Sequence, residues 1–517
     1  MSCLREATRI TAVALALIGL VFQAHAQAPE PVGPQFQVND TTTFFQGNPV
    51  VAVREDGSFI VVWESKAFDE GDLVHRIYDS LGVPLSEEIQ VNDQTAGEQA
   101  GREVSISAFS DGGFVVAWDT FDDADPLANR ISARRFLSSG EPNGLQFQVN
   151  SLTTGFQEYP SVAAAEDGAF AVVWHSEVSS GTDTDGRSVQ MRLWDSSGAE
   201  VGTEFQVNTE TYGGQISPNI DYSETTGFVV VWASEDSGAL FPRARRFQSD
   251  GTAIGAQFQV NTYTEDEADT VRVAFAADGE FIVTWRSYAS PGDDTSETST
   301  QARRFASDSS PIGDQFQVND FTAGNNDDAD AAYGELGGYV VVWESEESEM
   351  VVSPDGSGHA VRLRRLLTDG TPVGDELTVN NFTTGNQDDP VVAVLGPERA
   401  VVVFESASSP FTDSSGDSVQ ARIFDLCPGP NDGEDADADL IPDDCDECQG
   451  DNATGDSDAD GVCDDFDACL GDDGLGDGDM DGLCADRDCN DGDPFNFCAI
   501  FADGFESGDV SAWDRSM

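Results

Sequence analysis

The chain has 517 residues, 96 acidic against 25 basic, and a formal net charge of −71. A field of that sign repels nucleic acid and anionic membranes, and attracts divalent cations and basic partners. After residue 26 no stretch approaches the ~20 apolar residues needed to cross a bilayer, so no membrane span is predicted.

The first predicted element is a leader. Arg5 and Arg9 precede an apolar run from Ile10 to Phe22, followed by Ala24-His25-Ala26. A basic start, a short apolar core and a small-x-small site read as a secretory signal peptide over 1–26, cleaved before Gln27. The expected destination is extracellular, in the medium or at the cell surface. Cys3 falls within the leader, and the next cysteine is Cys427. Eight follow from there: Cys427, Cys445, Cys448, Cys463, Cys469, Cys484, Cys489 and Cys498. An even set confined to one segment of an exported chain predicts disulfides. Two mature regions result, one large and cysteine-free, the other small, acidic and cysteine-rich.

The large region repeats itself. "QFQVN" stands at 35–39, 146–150, 257–261 and 315–319, with "EFQVN" at 204–208, "EIQVN" at 88–92 and "ELTVN" at 376–380. The closing asparagines, from Asn39 to Asn380, are spaced by 53 to 61 residues. Between copies run the same phrases, clearest as "PSVAAAEDG", "AFAVVWHSE" and "VQMRLWDSSG". The Trp recurs as Trp63, Trp118, Trp174, Trp232, Trp285 and Trp343, with Phe404 in the last set. These are β-branched and aromatic runs bounded by turn residues, with no helical period.

Four strands in ~55 residues, seven times over, predict an all-β, seven-bladed β-propeller of four-stranded blades across 35–425. Tandem immunoglobulin-like sandwiches would need ~100 residues per unit. One outer strand precedes every inner triplet. Gln35–Asn39 is therefore expected to pair with Ala421–Asp425 and close the ring, removing its exposed edges. The repeat resembles a family of secreted bacterial β-propeller repeats rich in "FQVN" and "DGxFVVVW" phrases. The resemblance implies the fold and no particular chemistry.

Catalytic signals are sparse. His75, His175 and His359 occupy different places in their blades, and no Ser-His-Asp order, nucleophile elbow or zinc-binding His pair occurs. Paired carboxylates could do glycosidase work, but no pair stands out from so acidic a background. The expectation is a protein that is not an enzyme. It would bind or adhere through the face carrying the loops after each Trp and the turns after "FQVN", with an extracellular protein or glycan as partner. The alternative is a secreted polysaccharide-active hydrolase or lyase using the same face.

The last region, 427–498, has its own register. "DADADLIPDDCDEC", "DSDADGVCDDFDAC" and "DGDMDGLCADRDC" begin at Asp435, Asp456 and Asp477, each 21 residues after the last. Asp recurs at the first, third, fifth and twelfth places of all three. Alternating carboxylates through a tight turn suit a hard cation wanting six to eight oxygens, which predicts Ca2+. The motifs resemble thrombospondin type 3 repeats. That resemblance implies as ligands Asp435, Asp437, Asp439, Asp443 and Asp446, then Asp456, Asp458, Asp460, Asp464 and Asp467. In the third copy it implies Asp477, Asp479, Asp481 and Asp488, with Ala485 where the other copies carry an acid. Equal 15-residue spans favour Cys448–Cys463 and Cys469–Cys484, with Cys427–Cys445 and Cys489–Cys498 completing one of the 105 connectivities that eight cysteines allow. Residues 499–517 form a tail resembling a short ending of exported bacterial proteins, a sorting tag and an inert tail being equally open.

Overall fold

The phrases between Asp-Gly turns form antiparallel strands. A computed structural model describes residues 28–426, apart from loop segments 67–70, 94–98, 121–129, 265–266, 289–291, 293, 295–296, 335–337, 346–357, 397–398, 408–412 and 414–416. In the first hairpin Gly57 donates to the Arg54 carbonyl at 2.9 Å and Arg54 to the Ser58 carbonyl at 2.9 Å. Gly57 takes φ +75, a value that a side chain would strain. The leader, all nine cysteines and the fourteen candidate calcium ligands lie outside the described residues.

Each blade is a four-stranded antiparallel meander. In the third blade the strands are Gln157–Ala164, Phe170–Ser176, Ser188–Trp194 and Glu200–Gln206. The first strands of the seven blades are Gln46–Val53, Gln99–Ala108, Gln157–Ala164, Gln215–Ser223, Ala268–Phe275, Asn326–Gly334 and Gln387–Val394. Each touches the first strands of both neighbours, and Gln387–Val394 touches Gln46–Val53, so these seven ring the axis. Second strands such as "FIVVWES" are buried along their whole length, because each blade is sandwiched between two others. Seven apolar clusters fill the seven seams; one joins Val401, Val403 and Val419 of blade 7 to Phe59, Val61 and Trp63 of blade 1.

Closure follows the expected route with a shifted register. Phe36 and Gln37 pair with Ala421 and Gln420. The stretch Phe424–Asp425 pairs instead with Glu30–Pro31, four residues ahead of the repeat phrase. The fourth edge of blade 7 is thus made in two pieces.

The repeated pentapeptide has a physical explanation. Its first residue, Gln or Glu, accepts a backbone N–H from the turn after the previous copy: Asp40 to Glu88, Asp93 to Gln146, Ser151 to Glu204, Thr209 to Gln257, Thr262 to Gln315, Asp320 to Glu376, and Asn381 back to Gln35. These bonds run from 2.5 to 2.8 Å. Its valine carbonyl accepts from an arginine on the next blade's third strand in all seven seams, from Arg76 to Val38 around to Arg422 to Val379, at 2.6 to 3.4 Å. Its asparagine Oδ1 accepts the N–H that opens its own third strand in six blades, as from Val189 to Asn208 at 3.0 Å. The exception is Asn261. Pro242 stands where that N–H would be, and a proline has none to give. Asn261 Oδ1 takes the Gln259 amide instead, at 3.1 Å.

Candidate functional site

The site grows out of one backbone irregularity repeated around the ring. Near its start, each first strand slips register against the second, as between Asp388 and Val391 and between Gly47 and Val50. Among the described residues, six bulges hold a non-glycine residue at positive φ: Asn48, Tyr159, Ser217, Thr270, Asp328 and Asp389. Such values are uncommon outside Asn and Asp, and for a β-branched or bulky residue they are outliers. Bulges re-aim side chains and are over-represented beside functional sites. Here they turn the strand starts toward the channel mouth, at the end where the second strands finish. The loops after each Trp and the turns after "FQVN" therefore share that end.

The mouth is acidic, most densely across blades 6, 7 and 1. A pocket of about 150 Å³ is lined by Asn48, Glu103, Arg272, Asp328, Asp330 and Asp389. Burial, then Asp328 and Asp388, pushes the Asp389 carboxyl up to about 7. Glu405 is the next-to-last residue of the second strand of blade 7. Burial first, then Asp389, pushes it up to about 8. Its Oε2 accepts the Asn48 N–H at 3.2 Å, while the Asn48 side-chain amide donates to Glu64 Oε2 at 2.9 Å. Glu64 Oε1 lies 3.4 Å from Lys66 Nζ. One bulge residue thus holds two carboxyl groups in different surroundings. A Cβ on Gly47 would lie 1.9 Å from Glu405 Oε2 and 2.5 Å from the Phe45 ring, so a larger residue there would displace the Glu405 carboxyl. On the loop just before it, Phe44 is 65% exposed at φ +64.

The histidines separate. His75 is buried in its third strand, its Nε2 3.0 Å from the Gly140 carbonyl oxygen and its pKa pushed down to about 4 by burial. His175 accepts the Ser217 N–H on Nδ1 at 3.1 Å. Its Nε2 therefore carries the proton toward Glu158, 3.2 Å away. His359 stands apart: its Nδ1 meets Glu344 Oε1 at 2.6 Å and Asp388 Oδ1 at 2.5 Å.

Sequence reasoning placed His359 in a loop, where it stands just before the third strand, and missed both carboxyl groupings. A signal was present in the position after each Trp, which reads Glu64, Asp119, His175, Ala233, Arg286, Glu344 and, after Phe404, Glu405.

No known protein family matches the chain, and no curated protein does. Solved structures share the propeller. A protein of unknown function from Dyadobacter fermentans is 10% identical at TM-score 0.46, covering 77% of this chain and 99% of that one. The NanB sialidase of Streptococcus pneumoniae is 12% identical at TM-score 0.42, covering 77% and 71%. The polysaccharide lyase Uly1 is 12% identical at TM-score 0.40, covering 78% and 95%. At these values only the fold is shared. The expectation that the protein is not an enzyme is corrected here: the solved structures that share this fold include a sialidase and a polysaccharide lyase, so the fold gives no ground for excluding catalysis.

Proposed function

We propose that the channel mouth hydrolyses a neutral polysaccharide, with Glu405 as the proton-donating acid and Glu64 as the ionised partner. The observation that carries this is Asn48, which ties both carboxyl groups across the seam between blades 7 and 1. Glycoside hydrolysis needs a carboxylic acid that keeps its proton near neutral pH and a second carboxylate that does not. Pairs whose environments push their pKa values apart supply those roles. Burial holds the proton on Glu405, and Lys66 Nζ stands 3.4 Å from Glu64 Oε1. Exposed Phe44 offers a face on which a sugar ring can stack. The negative field of the chain disfavours an anionic glycan, which argues for hydrolysis over elimination from uronic acids. The leader expected at 1–26 would place this work outside the cell.

The test is turnover on a panel of neutral and acidic glycans, comparing the parent with Glu405→Gln. New reducing ends from neutral glycans, lost in the variant at an unchanged melting temperature, support the proposal. Unsaturated ends from uronic-acid polymers would make the protein a lyase. Absence of product across the panel would sink catalysis at this site.

For the acidic segment we propose Ca2+ held by the aspartates of the 435, 456 and 477 motifs. Their 21-residue register supports this reading, independently of the propeller.

A further inference from the structure

A second constellation at the mouth lies outside the Asn48 pair. Glu344 is the next-to-last residue of the second strand of blade 6, His359 stands just before that blade's third strand, and Asp388 is the second residue of the first strand of blade 7. One ligand atom from each falls within 4.8 Å of the others. His359 Nδ1 is 2.6 Å from Glu344 Oε1 and 2.5 Å from Asp388 Oδ1. An imidazole nitrogen carries at most one in-plane hydrogen, so it cannot satisfy two carboxylates at such distances. The cluster holds more acceptor lone pairs than protons, converging on one point from two blades. The side chains are 10%, 23% and 25% exposed, so the point is reachable from solvent yet walled.

We propose that Glu344, His359 and Asp388 form a binding site for a divalent first-row transition-metal ion of the zinc type. One imidazole nitrogen and two carboxylate oxygens suit such an ion better than calcium, which prefers an all-oxygen shell. Three protein donors leave coordination positions open to water or a ligand hydroxyl. The site stands independently of the hydrolase reading, because neither Glu405 nor Glu64 contributes to it.

The experiment titrates the full chain with Zn2+ in excess Ca2+, which occupies the oxygen-only aspartate sites and masks them. One zinc equivalent is expected to bind the parent protein. Removing even an outer partner of a metal ligand costs roughly 10–100-fold in affinity, so His359→Ala should lose at least that much. Asp435→Asn should leave zinc binding unchanged. Zinc-edge X-ray absorption of the unmutated protein keeps the proposal testable if His359→Ala does not fold. His75 and His175 are buried and His25 falls in the expected leader, so in protein that begins at Gln27 one imidazole in the zinc shell reports His359. Zinc displaced by calcium, equal zinc binding in His359→Ala, or a shell without imidazole would each overturn the site and leave a proton-shared cluster.

Discussion

The Arg272 guanidinium of blade 5 reaches across the ring axis to Glu103 of blade 2, with Nη2 3.2 Å from Oε1. Those blades lie three places apart in the ring, so the pair is a strut through the channel. Burial lowers the arginine pKa, but Glu103, Asp330, Asp328 and Asp389 together outweigh that and raise it. Arg272→Gln would leave those carboxylates facing one another. Removing one partner of a fully buried pair costs ~3–5 kcal/mol. Here the side chains are 26% and 31% exposed, so about 1–2 kcal/mol is expected after allowing for solvent screening. Denaturant unfolding should show that loss, and Glu103→Gln on the same background should recover part of it. A neutral Arg272→Gln would remove the strut from the account.

Blade number, strand order and closure by the N-terminal strand were legible because they depend on periodicity and turn chemistry, which are local. The two-piece edge of blade 7 was not, since nothing in "EPVG" repeats the pentapeptide. The mouth was hidden for a different reason. Glu405, Asp388 and Asp328 look like any other acids among 96, and what singles them out is a bulge that only pairing creates. His359 and Glu344 lie fifteen residues apart in sequence, and Asp388 meets them from another blade.

Closure makes the ends of the propeller interdependent. Deleting residues 27–40 removes the bonds from Asn381 to Gln35 and from Val419 to Asn39, together with buried Val38. A substantial fall in thermal midpoint is expected, with cooperativity retained only if the other six seams hold. An unchanged midpoint would mean that these strands are decoration.

Hydrogen bonding around the tryptophans offers an internal control. The indole N–H groups of Trp63, Trp174 and Trp232 donate to Gln46, Gln157 and Gln215 at 2.9 to 3.0 Å. Trp285 faces Ala268 at the matching place, and its Nε1 has no partner among the described residues. Trp174→Phe and Trp285→Phe delete the same ring atoms, but only the first strands a glutamine oxygen. Trp174→Phe should therefore be worse by about 1–2 kcal/mol. Equal losses in denaturant titrations would show that packing, not the hydrogen bond, decides.

The acidic C-terminal segment carries a separate prediction. Residues 427–517 hold 29 acids against Arg487 and Arg515, too much repulsion for so few apolar side chains to overcome. If calcium binds there, its binding energy becomes folding energy. Limited proteolysis should then cut after Cys427 only in chelator, with the propeller spared. Equal protection with and without chelator would remove calcium as the organising element.

Glu405 should couple stability and activity to pH in one window. A carboxyl normally titrates near ~4.3; here burial, Asp389, Asp417 and Asp388 raise it to about 8, against the opposing Asn48 N–H. The folded state therefore prefers the protonated form. Its contribution is fully present below about pH 4 and is lost as pH rises through 8. A shift of that size corresponds to a loss on the order of 5 kcal/mol between acid and alkaline conditions. Asp389, raised to about 7, adds a loss of the same sign. Glu405→Gln is a permanent neutral mimic, so its melting temperature should fall less than the parent's between pH 5 and 9. Parent turnover should decline across the same alkaline limb as the acid loses its proton, while the variant stays inactive throughout. A variant with the parent's full pH dependence of stability would show that Glu405 titrates normally, and the acid would then have to be sought elsewhere in the mouth.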